Sequence, residues 1–415
     1  MDGLHTVDGF ACVAKHFPGN GLDFRDAHLS NNVNDFTEEK WMQTYGQVYK
    51  TLIEGGLDGI MGGHIMMPTY MREQNPDIKD TEMLPATLCK EIMTGLLRDK
   101  LGFNGMVVTD ASHMVAMTNR MTRKEMLPLS INAGCDMFLF FNDPDEDFTT
   151  MLDAYKSGII TEERMEEALT RILGLKAHMG LHKKEKENLC PNGDDLQTIL
   201  HKSEYKSYSS KISRDAITLV KSLDKDVLPL SPEKAKRILI VPIKGVDNPL
   251  MALAAMAMGG GAQRKTPAEK LCERLENHGF EVSIYESPIE KIKAMVARGE
   301  KPSLNLYFAG KHSIEDFRNQ QDLVISLFDV MNGHPSFGLS KGGGEIPWYV
   351  HELPVVGISV NKPTMLADCP MLRTYINAYD SNDDTMDALV DALLTGDFRG
   401  KDPIDSFCGM WDTRI

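Results

Sequence analysis

Within one short segment the chain carries Lys15-His16-Phe17-Pro18-Gly19-Asn20-Gly21 and then Asp26-Ala27-His28. An imidazole titrates near neutrality, and a carboxylate two residues away can fix its tautomer and stabilise its protonated form. These are the requirements of a general acid/base. Gly19 and Gly21 around Asn20 let such a loop turn tightly. Further along, Met106-Val107-Val108-Thr109-Asp110 ends an apolar, β-branched run on an acid, as a strand does when its tip carries a catalytic carboxylate. A two-step displacement requires a carboxylate nucleophile and a proton donor for the leaving group. Asp110 suits the first role, and His28 beside Asp26 suits the second. Each feature alone has a plainer reading: Asp110 as the N-cap of a helix over 111–117, Asp26-x-His28 as an exposed loop, and Lys15-His16 as solvated surface.

Placing these groups requires a scaffold, and the pattern along the chain supplies one. Apolar runs at 9–14, 59–63, 105–109 and 135–141 read as strands. Between them, 37–54 reads as an amphipathic helix with Trp41, Tyr45, Val48 and Leu52 at helical spacing. A second helix is expected over 88–100, ending at Gly102, and a third inside 112–132. Thr161-Glu162-Glu163-Arg164 opens another, a Thr cap with acids in the first turn, burying Met165, Ala168, Leu169, Ile172 and Leu173. Strand–helix alternation at this spacing predicts a parallel sheet or a (β/α) barrel. Barrel enzymes build their sites at the C-terminal tips of the strands, where Lys15, His16 and Asp110 would fall.

A charged, aperiodic stretch from His182 to about Asp195 reads as a linker. Beyond it a second α/β block is expected, with a helix over 203–219, strands at 237–242, 281–285, 322–327 and 354–360, and a helix over 267–278. This suggests a three-layer sandwich. Gly259–Gly261 and Gly342–Gly344 read as surface turns or as loops reaching the site, and neither matches a nucleotide-binding pattern. The expected organisation is a partial barrel over 1–182, a linker over 183–200 and an α/β sandwich over 201–415.

Taken together, these motifs resemble glycoside hydrolase family 3, in its β-N-acetylglucosaminidase branch. Lys15–Gly21 with Asp26 and His28 matches that branch's K-H-F-P-G-[HN]-G…D-x-H segment. The strand ending in Thr109-Asp110 matches the nucleophile motif, and the text over 84–105 and Ala133-Gly134-Cys135-Asp136-Met137 matches the stretches around it. The resemblance implies that Asp110 forms a glycosyl-enzyme and that His28, oriented by Asp26, is the acid/base. It also implies that Lys15 and His16 hold substrate hydroxyls and that His64, in Gly62-Gly63-His64, is a further substrate-binding residue. The expected fold is the C-terminal part of a (β/α)8 TIM-type barrel followed by an α/β sandwich. Only about four βα units fit before the linker, whereas a whole barrel takes about 250 residues. The Asp and Arg with which the family grips the sugar have no counterpart here. Open strand edges would favour self-association. A phosphorylase with the same dyad, a non-catalytic barrel remnant needing a partner, and a related β-glucosidase or xylosidase are the alternatives, the last disfavoured by the Asp-x-His.

Composition narrows the classes. A 42% hydrophobic, 25% charged chain of 415 residues is ordinary for a globular protein. Its net charge of −15 argues against nucleic acid or an anionic membrane as partner. No apolar run approaches the roughly 18 residues of a membrane span, and no signal peptide opens the sequence. Seven scattered cysteines without a C-x-x-C spacing suggest structural thiols, no metal site and a reducing, cytoplasmic setting. No cofactor is expected. The expected ligand is a glycoside containing N-acetylglucosamine.

Overall fold

The computed structural model describes residues 1–23, 25, 27–185, 189–190, 192–245, 265–286, 292, 295–301, 313–331, 335 and 346–415. Asp26 and both triple-glycine segments lie outside the described residues. The chain folds as two compact units, Met1–Pro191 and Asn192–Ile415.

In the first unit, β1 (Val13–Phe17), β3 (Gly59–Gly62), β5 (Met106–Ala111) and β6 (Met137–Leu139) form a parallel sheet in that order. Two short strands, β2 (Asn32–Val33) and β4 (Ile65–Met66), pair in parallel beside it. Sequential parallel neighbours joined by helices are the wall of a (β/α) barrel. The first strand begins at Val13, later than the expected run at 9–14. Val13 pairs with Gly59, and Gly59 in turn with Met106, so all the strand tips point the same way.

Helices cover the sheet because their apolar stripes have nowhere else to go. Phe17, Ile60 and Val107 from the strands join Trp41, Tyr49, Ile92, Met93, Leu96 and Leu97 in one buried cluster. The Phe17 ring meets those of Trp41 and Tyr49 edge-on at 5.8 and 5.0 Å. Thr37 caps the first of these helices by accepting from Lys40 N–H. A π turn at Met42–Gly46 then adds a residue to the spacing. As a result Val48, expected inside, is 59% exposed and Tyr49 is buried in its place. Thr161 caps Glu162–His178 as expected. Of its predicted apolar face, however, Ala168 is buried while Leu169 and Leu173 are exposed.

An ionic knot ties the far end of the sheet. Asp136, fully buried, accepts from Arg98 at 2.9 Å, Arg164 at 2.7 Å, Arg171 at 3.3 Å and the Val107 N–H at 2.9 Å. A buried carboxylate is tolerable only when satisfied in this way.

The second unit is a sheet in the order β7 (Thr218–Ser222), β12 (Thr374–Asn377), β11 (Val355–Ser359), β10 (Leu323–Asp329), β8 (Arg237–Lys244), β9 (Glu281–Ile284). Among the described strands only β7 runs antiparallel to its neighbour. Residues alternate between two cores: Leu323, Ile325 and Leu327 face one, Val324 and Phe328 the other. Both faces are covered, which makes three layers. The helix expected over 203–219 stops at Ala216, and 218–222 is the edge strand β7. Strand β12 and the helix Asp383–Thr395 add to the expected elements.

All seven cysteines are free; Cys12, Cys89, Cys135 and Cys369 are buried, and Cys190 and Cys408 are exposed. No helix among the described residues is long and apolar enough to cross a membrane.

Candidate active site

Lys15 and His16 on β1, His64 just past β3 and Asp110 on β5 share the C-terminal end of the sheet. The register that pairs β1 with β3 and β3 with β5 sets the three strand tips side by side. Gly63 makes the approach possible: a Cβ there would stand 3.0 Å from the His16 Cβ.

His16 Nε2 lies 3.4 Å from Asp110 Oδ2. Its Nδ1 is 3.0 Å from the Asn20 amide nitrogen. Since an amide nitrogen can only donate, the tautomer assigned from this network carries its proton on Nε2, facing the carboxylate. Burial lowers the His16 pKa below its ordinary value, Asp110 pulls it up, and Lys15 and His28 push it down. His16 is therefore neutral at neutral pH. Asp110 Oδ1 accepts from the Ala111 N–H at 2.8 Å, which steadies the carboxylate and leaves Oδ2 towards His16.

His64 lies beneath the site and not in it. It is 1% exposed, with Nδ1 2.7 Å from Thr87 Oγ1 and Nε2 3.0 Å from the Ala111 carbonyl oxygen. A carbonyl only accepts, so Nε2 carries the proton and Nδ1 accepts from the hydroxyl. Burial again lowers its pKa. Both ring nitrogens being engaged, His64 can grip the backbone next to Asp110 but has no free polar atom for a ligand.

The loop from Pro18 to Asn31 leaves β1 under several restraints. Trp41 Nε1 donates to the Pro18 carbonyl at 2.8 Å, and Tyr45 OH to that of Asn20 at 3.0 Å. Gly19 has φ +122°, and a Cβ there would collide with the Tyr45 ring; glycine is required on both counts. Asp23 takes a forked contact from Arg25 and a hydrogen bond from Val33 N–H at 3.0 Å, and its carboxyl is held down at about 2, chiefly by Arg25. At its far end the loop rests on the segment after β5. The Val115 N–H donates to the His28 carbonyl at 3.3 Å, and Asn119 Nδ2 to Asn31 Oδ1 at 3.0 Å. His28 is exposed, and it acts electrostatically on both His16 and His64.

The structure thus sets Lys15, His16 and Asp110 at neighbouring strand tips, with His64 buried next to Ala111 and His28 on the loop that rests on the segment after β5. Asp26 lies outside the described residues. Sequence reasoning does not assign Asn20, Thr87 or Arg123. Arg123 forks onto Asp147 at 2.6 Å and reaches Ser112 Oγ at 3.1 Å, bracing the loops after β5 and β6. Asn20 is visible in the sequence only as the residue between two glycines, and Thr87 and Arg123 have no local signal.

Residues 1–175 match the Glycosyl hydrolase family 3 N terminal domain. The Beta-N-acetylglucosaminidase/beta-glucosidase of Cellulomonas fimi is 36% identical over 414 residues, covering 99% of this chain and 68% of its own. The Beta-hexosaminidase of Methylobacillus flagellatus is 32% identical over 148 residues, 35% of this chain and 38% of its own. Among solved structures, Beta-glucoside phosphorylase BglX superposes with a TM-score of 0.81 at 35% identity, over 98% of this chain and 68% of that one. A family 3 β-N-acetylglucosaminidase from Paenibacillus sp. str. FPU-7 (TM-score 0.70, 23% identity, 95% of this chain and 67% of that one) shares the fold. With its barrel-wall sheet, its α/β sandwich and these matches, the chain belongs to glycoside hydrolase family 3.

Proposed function

We propose that the chain removes terminal β-linked N-acetylglucosamine from glycosides by a two-step retaining reaction. The observation that carries this reading is Asp110, presented at a strand tip beside His16 and below a loop that docks His28 onto the segment following the same strand. The Cellulomonas fimi relative, named for this activity and matched over 99% of the chain, supports the substrate class.

In the first step the Asp110 carboxylate attacks the anomeric carbon while protonated His28, oriented by Asp26, gives its proton to the departing glycosidic oxygen. An alcohol leaves and a glycosyl ester remains on Asp110. In the second step neutral His28 takes a proton from water, the oxygen attacks the same carbon, and Asp110 is released. Lys15 and His16 hold sugar hydroxyls, and neutral His16 does so without competing for the acid's proton. His64 acts from behind by fixing the Ala111 carbonyl, and so the direction of Asp110.

Phosphate is the second candidate acceptor, because the structural neighbour at 35% identity is named a phosphorylase. A histidine acid/base does not repel phosphate as a carboxylate would. Incubating an aryl β-N-acetylglucosaminide with and without phosphate separates the two. Free sugar at the same rate in both establishes hydrolysis, and phosphate-dependent sugar 1-phosphate establishes phosphorolysis. Product in neither, under conditions where the chain is folded, refutes both.

Self-association through the sheet edges also belongs to this proposal. Among the described residues β1 and β6 each pair on one side only, and Val13, Phe140 and Phe141 are exposed there. Light scattering during gel filtration reads the oligomeric state directly. Seven free cysteines support a reducing, cytoplasmic setting.

A further inference from the structure

At the opposite end of the barrel-wall sheet, four separate segments converge. His5 ends the helical turn Asp2–His5, Cys12 directly precedes β1, Asp58 directly precedes β3, and His178 closes the helix Glu162–His178. One donor atom each from His5, Cys12 and Asp58 lie within 4.8 Å of one another. His5 Nε2 is 3.1 Å from Asp58 Oδ2, and His178 Nε2 is 3.8 Å from Asp58 Oδ1. The Cys12 N–H donates to Asp58 Oδ2 at 2.8 Å and the Gly59 N–H to the Cys12 carbonyl at 3.0 Å. These bonds lock the two strand starts, and the thiol and carboxylate they carry, into one register.

We propose that His5, Cys12 and Asp58, with His178 as fourth ligand, bind a single zinc ion that staples the start of the chain and the end of the long helix to the sheet. Thiolate, imidazole and carboxylate together are a donor set for zinc and not for magnesium or calcium. Bond lengths of about 2.0–2.3 Å around a tetrahedral zinc separate its ligands by roughly 3.3–3.8 Å. The His5–Asp58 and His178–Asp58 separations of 3.1 and 3.8 Å lie at the two edges of that range. The His5, Cys12 and Asp58 donors stand within 4.8 Å of one another, so these three need only small side-chain movements to share an ion, with His178 swinging in from beside Asp58. Cys12 is buried and already positioned, while the two histidines, less enclosed, can swing. The N-terminal end of a barrel is where stability, not catalysis, is built, so the ion's part is structural. Binding displaces the thiol proton and needs neutral imidazoles, so affinity rises with pH.

The test uses the full chain, stripped with a chelator and confirmed folded by circular dichroism. Zinc is titrated in competition with a chromogenic chelator, and cobalt is added in a parallel sample. The expected result is one zinc per chain, a thiolate-to-cobalt charge-transfer band, and a melting temperature that rises with zinc. Cys12→Ser should abolish the band and weaken zinc binding by at least about tenfold, and Asp58→Asn should weaken it similarly. A folded, stripped chain that takes up no zinc, or a Cys12→Ser variant that binds it as well as the parent, overturns the proposal and leaves His5–Asp58 a simple hydrogen-bonded pair.

Discussion

His16 presents Nε2 to Asp110 Oδ2 across 3.4 Å, a separation too long for a strong hydrogen bond. The carboxylate is therefore accompanied by a neutral donor without being tied down by it. Asn20 keeps the His16 proton on that side. Asn20→Ala should lower kcat/KM about tenfold, the worth of one well-placed hydrogen bond. Its melting temperature should stay near that of the parent because the side chain is exposed. Steady-state kinetics beside a thermal melt decides the point. A large stability loss would mean that Asn20 serves the loop and not His16.

His28 is asked to protonate the leaving oxygen, so its removal should matter in proportion to how much help that oxygen needs. His28→Ala should reduce kcat by roughly 10²–10⁴-fold on an alkyl or sugar leaving group. The loss should be far smaller on a dinitrophenyl glycoside, whose oxygen leaves unaided. A series of leaving groups measured on both proteins checks this, and equal losses across the series would remove His28 from the acid role.

Acid should weaken the first unit through its histidines before its carboxylates respond. His16 and His64 both have pKa values lowered by burial from 6.5. As pH falls through 6.5 the unfolded chain takes up protons that the folded chain refuses. Stability is thus complete above that pH and is lost below it, towards the lowered folded values. The Asp23 contribution is separate: its pKa of about 2 stabilises the fold above 3.8 and is lost only as pH falls from there. Melting temperatures between about pH 7.5 and about pH 5 should decline, and His64→Gln should flatten the decline. Because His64 fixes the backbone beside Asp110, the same variant should lose kcat with little change in KM. A KM effect alone would argue for direct substrate contact.

Asp136 offers the sharpest stability prediction. Three arginines converge on it in the interior, and an Asp136→Asn chain would leave Arg98 without its carboxylate partner and Arg164 and Arg171 with only the half-exposed Glu167. A loss of about 3–5 kcal/mol is expected, read by urea denaturation followed through the fluorescence of Trp41 in the first unit. A loss under about 1 kcal/mol would show the knot to be solvated in solution.

The candidate site is legible in the sequence because its signals are local. A strand ending on Asp110, a Pro-Gly-x-Gly turn and an Asp-x-His pair each fit within a short window. What escapes depends on distance in sequence or on a change of helical period. The π turn at Met42–Gly46 exchanges Val48 for Tyr49 in the core, and nothing in a 3.6-residue pattern announces an extra residue. Asp136 stands inside a recognisable segment, but its partners Arg98, Arg164 and Arg171 come from two other elements. His64 reads as close to the site, yet its depth beneath it follows from Thr87 and Ala111, which only the fold brings near. The edge strand β7 merges with the preceding helix in the sequence pattern because Ile217, Leu219 and Val220 continue that helix's apolar spacing.

The central claim is that Asp110 becomes covalently bonded to the sugar. A 5-fluoro N-acetylglucosaminyl fluoride forms the glycosyl-enzyme faster than it breaks down, so the adduct accumulates and can be located by peptide mass spectrometry. We expect one adduct per chain on the peptide containing Asp110, and none in Asp110→Asn, whose kcat on an aryl glycoside should fall by about 10³-fold or more. An adduct on any other residue, or turnover of the glycoside by a chain that never acquires the label, would contradict the account.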